Sequence, residues 1–230
     1  MLNNKSHIFI DIDGTLTDNF HIHTKGWNRL KTIWGYENCN VNYNHYHGLN
    51  TKDAILQLSR DLNHQINESE IENFIKVKNA VRDIEILKLN RHTLFSGTYD
   101  LLKTLSDNSS IVLYAYSLST ATKSILSSLE IFDFFDDFLF GKFFKISKSR
   151  SASLLINYLD GKKINLNNVI VIDDDPDVIK SHIKCNIKTV YVQDELLNSI
   201  KKIKKETLLT GSVQRKLYDI AKTIPTANNI

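Results

Sequence analysis

Asp11 and Asp13 stand two residues apart at the end of the apolar run that begins at Ile8, and Gly14 follows them. On an extended backbone such residues project to the same side, so two carboxylates enter one small space, and the glycine lets the backbone turn close to a ligand. Like charges that close repel unless a cation or a proton intervenes, which points to a metal site or an acid/base pair. A second acidic group, Asp173, Asp174, Asp175 and Asp177, ends another apolar run, VIVIDDDPDVI. Capping a helix N-terminus takes one or two acids, and metal binding accounts for the surplus.

These residues need a scaffold that brings distant segments together. Ile8 to Ile12 is β-branched and apolar apart from Asp11, and Gly14 breaks it, so it reads as a buried strand ending in a loop. SSIVLYAYSLS, from Ser109 to Ser119, and NNVIVIDDDPD, from Asn167 to Asp177, repeat that pattern of an apolar strand with an abruptly polar carboxyl end. IKTVYV reads as a fourth strand without the polar end. Amphipathic helical stretches, GTYDLLKTLSD and SRSASLLINYL, precede the second and third strands. The alternation predicts an α/β fold with a Rossmann-like parallel sheet covered on both faces. Ligands of such sheets bind at the carboxyl ends of the strands, where Asp11, Ser117 and Asp173 to Asp175 fall.

From Phe20 to His92 the alternation stops, and helical patterns such as KDAILQLSRDL and ESEIENFIKVKNAVRDIEIL take over. The expected organisation is a core of residues 1–19 and 93–200, an inserted helical cap of 20–92, and a basic tail or helix at 201–230 to which no function is assigned. The phenylalanine-rich IFDFFDDFLFGKFF reads as packing against the sheet.

Composition narrows the partners. Hydrophobic residues at 42% over 230 positions suffice for a real core. The 29 basic and 26 acidic residues, a formal charge of +3, are too balanced to require nucleic acid or an anionic membrane. Cys39 and Cys185 alone build neither a disulfide framework nor a cysteine-rich zinc site, which fits a reducing cytoplasm. The first apolar stretch is short and interrupted by Asp11 and Asp13, so it is not a signal peptide, and no later run is long enough to span a bilayer.

IFIDIDGTLTD resembles, over its full length, the first motif of the haloacid dehalogenase-like hydrolases, a hydrophobic strand followed by D-x-D-G-T. The resemblance implies that Asp11 attacks a substrate phosphorus, and that Asp13 protonates the leaving oxygen and then activates water. Dehalogenases of this superfamily lack the second acid, so Asp13 favours phosphoryl transfer. Ser117 matches the second motif, a strand-end hydroxyl that binds a phosphoryl oxygen, with Ser119 as the nearby alternative. The third motif is a lysine that offsets the charge of nucleophile and phosphoryl group. In GKFFKISKSRSASLL, Lys148 directly precedes the helical stretch, Lys145 is the runner-up, and the family's usual Lys-Pro is absent. VIVIDDDPDVI resembles the fourth motif, which implies magnesium held by Asp173 and Asp174 together with Asp11 and the backbone carbonyl of Asp13. Asp175 and Asp177 then belong to the turn and helix start around Pro176.

An insertion just after the first motif resembles the subgroup that includes beta-phosphoglucomutase and phosphoglycolate phosphatase. TDNFHIHTKGW places His23 and Trp27 at matching positions, HGLNTKDAILQL resembles a substrate-loop segment, and Lys78 and Asn79 fall in a similar helix. His23 is expected to reach Asp13 or substrate, or to be structural, and Trp27 to be cap core. Where the mutase carries an arginine that grips a second phosphate, this chain has Thr51, with Lys52 the nearest cation. That departure favours a phosphatase acting on a small phosphorylated metabolite over a phosphosugar mutase, as monomer or homodimer. A non-catalytic protein on the same fold predicts a broken motif, whereas both aspartates of the first motif are present. His45 and His47 imitate a metal pair, but their polar surroundings read as a surface loop.

Overall fold

A computed structural model describes residues 5–46, 49–117, 119–140 and 152–192. Five strands, β1 (Ser6–Ile10), β2 (Ile111–Ser117), β3 (Asp137–Phe140), β4 (Val169–Asp173) and β5 (Lys188–Tyr191), form one parallel sheet in the order β3-β2-β1-β4-β5. Alternate side chains of β1 enter opposite faces, and both faces are apolar. Ile8, Ile10 and Ile12 pack with Leu102 and Leu105 of α4 (Thr98–Ser106) and with Ile125 and Leu126 of α5 (Thr122–Ser128). Phe9 points the other way, toward Leu155 and Leu159 of α6 (Ala152–Lys162). Each of these fully buried side chains contributes on the order of 2 kcal/mol of transfer free energy. This two-sided burial is why the strands read as continuous apolar runs.

The strand bounds are offset by a residue or two from the segments that announce them. β1 ends at Ile10, β2 starts at Ile111, and β4 stops at Asp173, after which Pro176 opens α7 (Pro176–Lys184). The phenylalanine-rich segment does not merely cover the sheet. Its Asp137–Phe140 part is the edge strand β3, registered on Tyr114 to Ser117 of β2. Asp136 fixes the entry to it, donating its N–H to Leu113 O at 2.9 Å and accepting Leu113 N–H on its carboxylate at 2.8 Å.

Between β1 and α4 lie three helices, α1 (Phe20–Ile33), α2 (Thr51–Asp61) and α3 (Glu68–Ile86). Trp27 and Leu30 of α1 pack with Ile55 and Leu58 of α2 in a core of their own, and Trp27 meets Tyr46 edge-on at 5.7 Å. α2 is capped by Asn50, whose side chain accepts Asp53 N–H at 3.0 Å; at the start of α3, Glu70 accepts Asn67 N–H at 2.9 Å. α1 and α3 approach closely at Gly26, where an added Cβ would lie 3.0 Å from Lys78 Cγ and 3.2 Å from Lys78 O. The two connections between this cap and the core run side by side: Thr17 Oγ1 donates to Thr93 O at 2.9 Å, and Phe95 N–H to Leu16 O at 3.0 Å. Among the described residues, no helix is long and apolar enough to cross a membrane.

Candidate active site

The carboxyl edge of the sheet gathers the acidic residues of two segments. Asp11 is fully buried and still belongs to the ladder, its N–H donating to Ile172 O at 2.9 Å. Asp173, also fully buried, closes β4 and accepts Asp175 N–H on its carboxylate at 2.9 Å. Asp11, Asp173 and Asp174 each offer one oxygen to a group in which all three atoms lie within 4.8 Å of one another. Two of these carboxylates are fully buried, so a cation or a proton would offset their mutual repulsion, and an all-oxygen donor set would suit a hard ion such as magnesium.

Gly14 makes the turn that brings these segments together. Its φ of +89° lies in the left-handed region, and a Cβ there would sit 2.2 Å from Asp174 Oδ2. The neighbouring Thr15 Oγ1 donates to Asp174 Oδ1 at 3.1 Å and lies 3.5 Å from Asp11 Oδ2.

Asp13 behaves differently from Asp11. Its carboxylate turns toward the cap, where Asn19 Nδ2 donates to Oδ1 and His23 Nε2 lies 3.8 Å from Oδ2. Behind His23, Lys78 Nζ donates to Nδ1 at 3.4 Å. A neutral imidazole that accepts at Nδ1 carries its proton on Nε2, the atom facing Asp13. Lys78 is 4% exposed, and its ammonium lies 4.8 Å from the centre of the Trp27 ring. Burial lowers its pKa to about 8, helped by the Arg82 charge and opposed by Asp13 and Asp83.

Ser117 ends β2 with 2% exposure, and its Oγ accepts Ser119 N–H at 3.2 Å, which leaves its own proton to donate. Ser119 Oγ accepts Ala121 N–H at 3.1 Å and so helps shape the turn into α5. Thr51 is the first residue of α2, and Lys52 pairs with Glu68 Oε1 at 3.4 Å, within the cap. Asp175 is the N-cap of α7, accepting Asp177 N–H at 2.8 Å, and Asp177 pairs with Lys180 at 3.5 Å. His45 is exposed in a 3-10 turn beside Asn42. Lys145, Lys148 and His47 lie outside the described residues.

The sheet, the helical insertion and this acidic edge define a family. The chain belongs to the haloacid dehalogenase-like hydrolases, whose family model matches residues 5–182. Beta-phosphoglucomutase from Clostridium difficile has a similar structure, with a TM-score of 0.73, 20% identity, and coverage of 94% of this chain and 98% of that one. CbbY from Rhodobacter sphaeroides, solved in complex with xylulose-(1,5)bisphosphate, gives a TM-score of 0.66 at 14% identity and covers 82% of this chain and 86% of its own. A haloacid dehalogenase-like hydrolase from Streptococcus pneumoniae gives 0.64 at 18% identity, covering 85% and 90%. At these identities the likeness establishes a shared fold and nothing finer. No curated protein matches the chain by sequence.

Proposed function

We propose that this chain is a magnesium-dependent phosphatase that hydrolyses a small phosphomonoester through an aspartyl-phosphate on Asp11. The observation that carries the reading is the separation of the two motif aspartates: Asp11 joins the acidic group with Asp173 and Asp174, while Asp13 faces Asn19 and His23 of the cap. That separation supports a nucleophile role for one carboxylate and an acid/base role for the other.

Asp11, Asp173, Asp174 and the Asp13 carbonyl would hold magnesium, which when bound offsets the negative charge of the phosphoryl group. Asp11 attacks phosphorus, the ester P–O bond breaks, and Asp13 gives its proton to the leaving oxygen. Asp13 then takes a proton from water as that water attacks the aspartyl-phosphate, releasing inorganic phosphate and restoring Asp11. Ser117 donates to a phosphoryl oxygen, and Lys148, or Lys145 in its place, supplies the remaining positive charge. His23 would reach the substrate from the cap, with Lys78 supporting it; Thr51 would join it at the start of α2, and Lys52 only on leaving its pair with Glu68. CbbY was also solved in complex with phosphate, in keeping with a phosphorylated ligand on this fold. Both cysteines are free thiols, which suits a reducing, cytoplasmic setting.

A phosphosugar mutase is the second reading, favoured by the likeness to the Clostridium difficile enzyme over nearly the whole chain. Against it stand Thr51 in place of an arginine and Lys52 paired with Glu68. The test is phosphate release from beta-glucose 1-phosphate, glucose 6-phosphate, phosphoglycolate and nucleotides, with magnesium and then with chelator. Magnesium-dependent release from one or a few of them is expected. Isomerisation of a sugar phosphate without release would make the protein a mutase.

A further inference from the structure

We propose that Thr15 is a positioning residue whose hydroxyl holds Asp174 beside Asp11, so that the metal-binding carboxylates are spaced before a cation arrives. The inference rests on the reading that this acidic group binds magnesium. Its three carboxylates are not held alike. Asp11 is bonded into the sheet through Ile172 O, and Asp173 through Val192 N–H at 3.1 Å. Asp174 lies one residue beyond the last ladder pair, Asp173 with Tyr191, so strand pairing does not place it.

The loop after β1 places it instead. One side of the Asp174 carboxylate rests on the bare Cα of Gly14, where a Cβ would come within 2.2 Å. On the other side Thr15 Oγ1 donates at 3.1 Å, and the same oxygen is 3.5 Å from Asp11 Oδ2. Thr15 is 7% exposed, so this donor acts where water screens little. One hydroxyl therefore ties together two acidic segments far apart in the chain, and its proton takes part of the role that a cation would otherwise fill. Side chains that orient metal ligands in this way govern affinity without touching the ion.

The test is magnesium titration by calorimetry of the full chain and of Thr15→Val, Thr15→Ala and Thr15→Ser, with melting temperatures to check folding. Val keeps the shape and loses the hydroxyl, Ala loses both, and Ser keeps the hydroxyl while losing the methyl. Magnesium affinity should fall roughly tenfold in the Val and Ala variants and stay within about twofold of the parent in the Ser variant. Unchanged affinity in a folded Val or Ala variant would overturn the proposal, as would a Ser variant as weak as Ala, which would assign the effect to methyl packing. Either result leaves the phosphatase reading standing. If the unaltered chain binds no magnesium, the metal site and the role of Thr15 fall together.

Discussion

The core side and the cap side of the site are built by different physics. On the core side, the backbone ladder fixes Asp11 and Asp173, and a glycine turn and one hydroxyl bring Asp174 in beside them. On the cap side, the groups around Asp13 come from the start of the insertion and from two of its helices. Asn19 precedes α1, while His23 and Lys78 arrive on α1 and α3, whose close approach at Gly26 sets the positions of the latter two. The core half is thus rigid by register. The cap half depends on packing within the cap and on how the cap meets the core, which the bonds at Thr17 and Phe95 constrain.

That contrast can be broken from the core side with the largest effect. Gly14→Ala introduces a Cβ 2.2 Å from Asp174 Oδ2 at a φ of +89°. The carboxylate must move, and misplacement on the scale of 1 Å costs roughly a hundredfold in rate. Loss of magnesium affinity in calorimetry and of phosphate release are expected together.

A smaller effect comes from the cap. In Lys78→Met, kcat/KM should fall roughly tenfold, the equivalent of one charge contact of about 1.4 kcal/mol, with magnesium affinity unchanged. In the parent, kcat/KM should decline as pH rises through about 8, where Lys78 loses its charge, and the Met variant should lack that limb. Stability moves the opposite way. The folded pKa of about 8 is below the ordinary 10.5, so the unfolded chain binds the extra proton between these values, and stability rises with pH across that window. Removing the buried ammonium should therefore raise the melting temperature at neutral pH and flatten that rise.

The smallest effect sharpens the boundary of the acidic group. Asp177 pairs with Lys180 at 3.5 Å on the surface of α7, so Asp177→Asn should change stability by well under about 1 kcal/mol and leave magnesium binding untouched.

The core half was the more legible in the sequence, for the same reason that it is rigid. Strands buried on both faces leave continuous apolar runs, so β1, β2 and β4 announce themselves, and their polar carboxyl ends mark Asp11, Ser117 and Asp173, while the half-exposed edge strand β5 showed only through the β-branched IKTVYV segment. β3 escaped because a four-residue edge strand inside a run of phenylalanines has neither the length nor the alternation of a strand pattern. The cap half was harder to read. An asparagine directly before a helix ordinarily signals an N-cap, yet Asn19 makes no side-chain cap bond and gives its amide to Asp13. Lys78 sits in an otherwise ordinary amphipathic helix, and only the packing of α1 against α3 turns it toward His23. Thr15 carries a signal in retrospect, as a hydroxyl next to a glycine turn in a loop that holds two carboxylates.

The central claim is that Asp11 is the nucleophile, and acid-quenched mass spectrometry of the enzyme during turnover of a phosphomonoester tests it most directly. A phosphoryl group on the peptide that carries Asp11, absent in Asp11→Asn along with phosphate release, is the predicted result. Turnover that persists in Asp11→Asn, or a phosphoryl group found on a different residue, would contradict it.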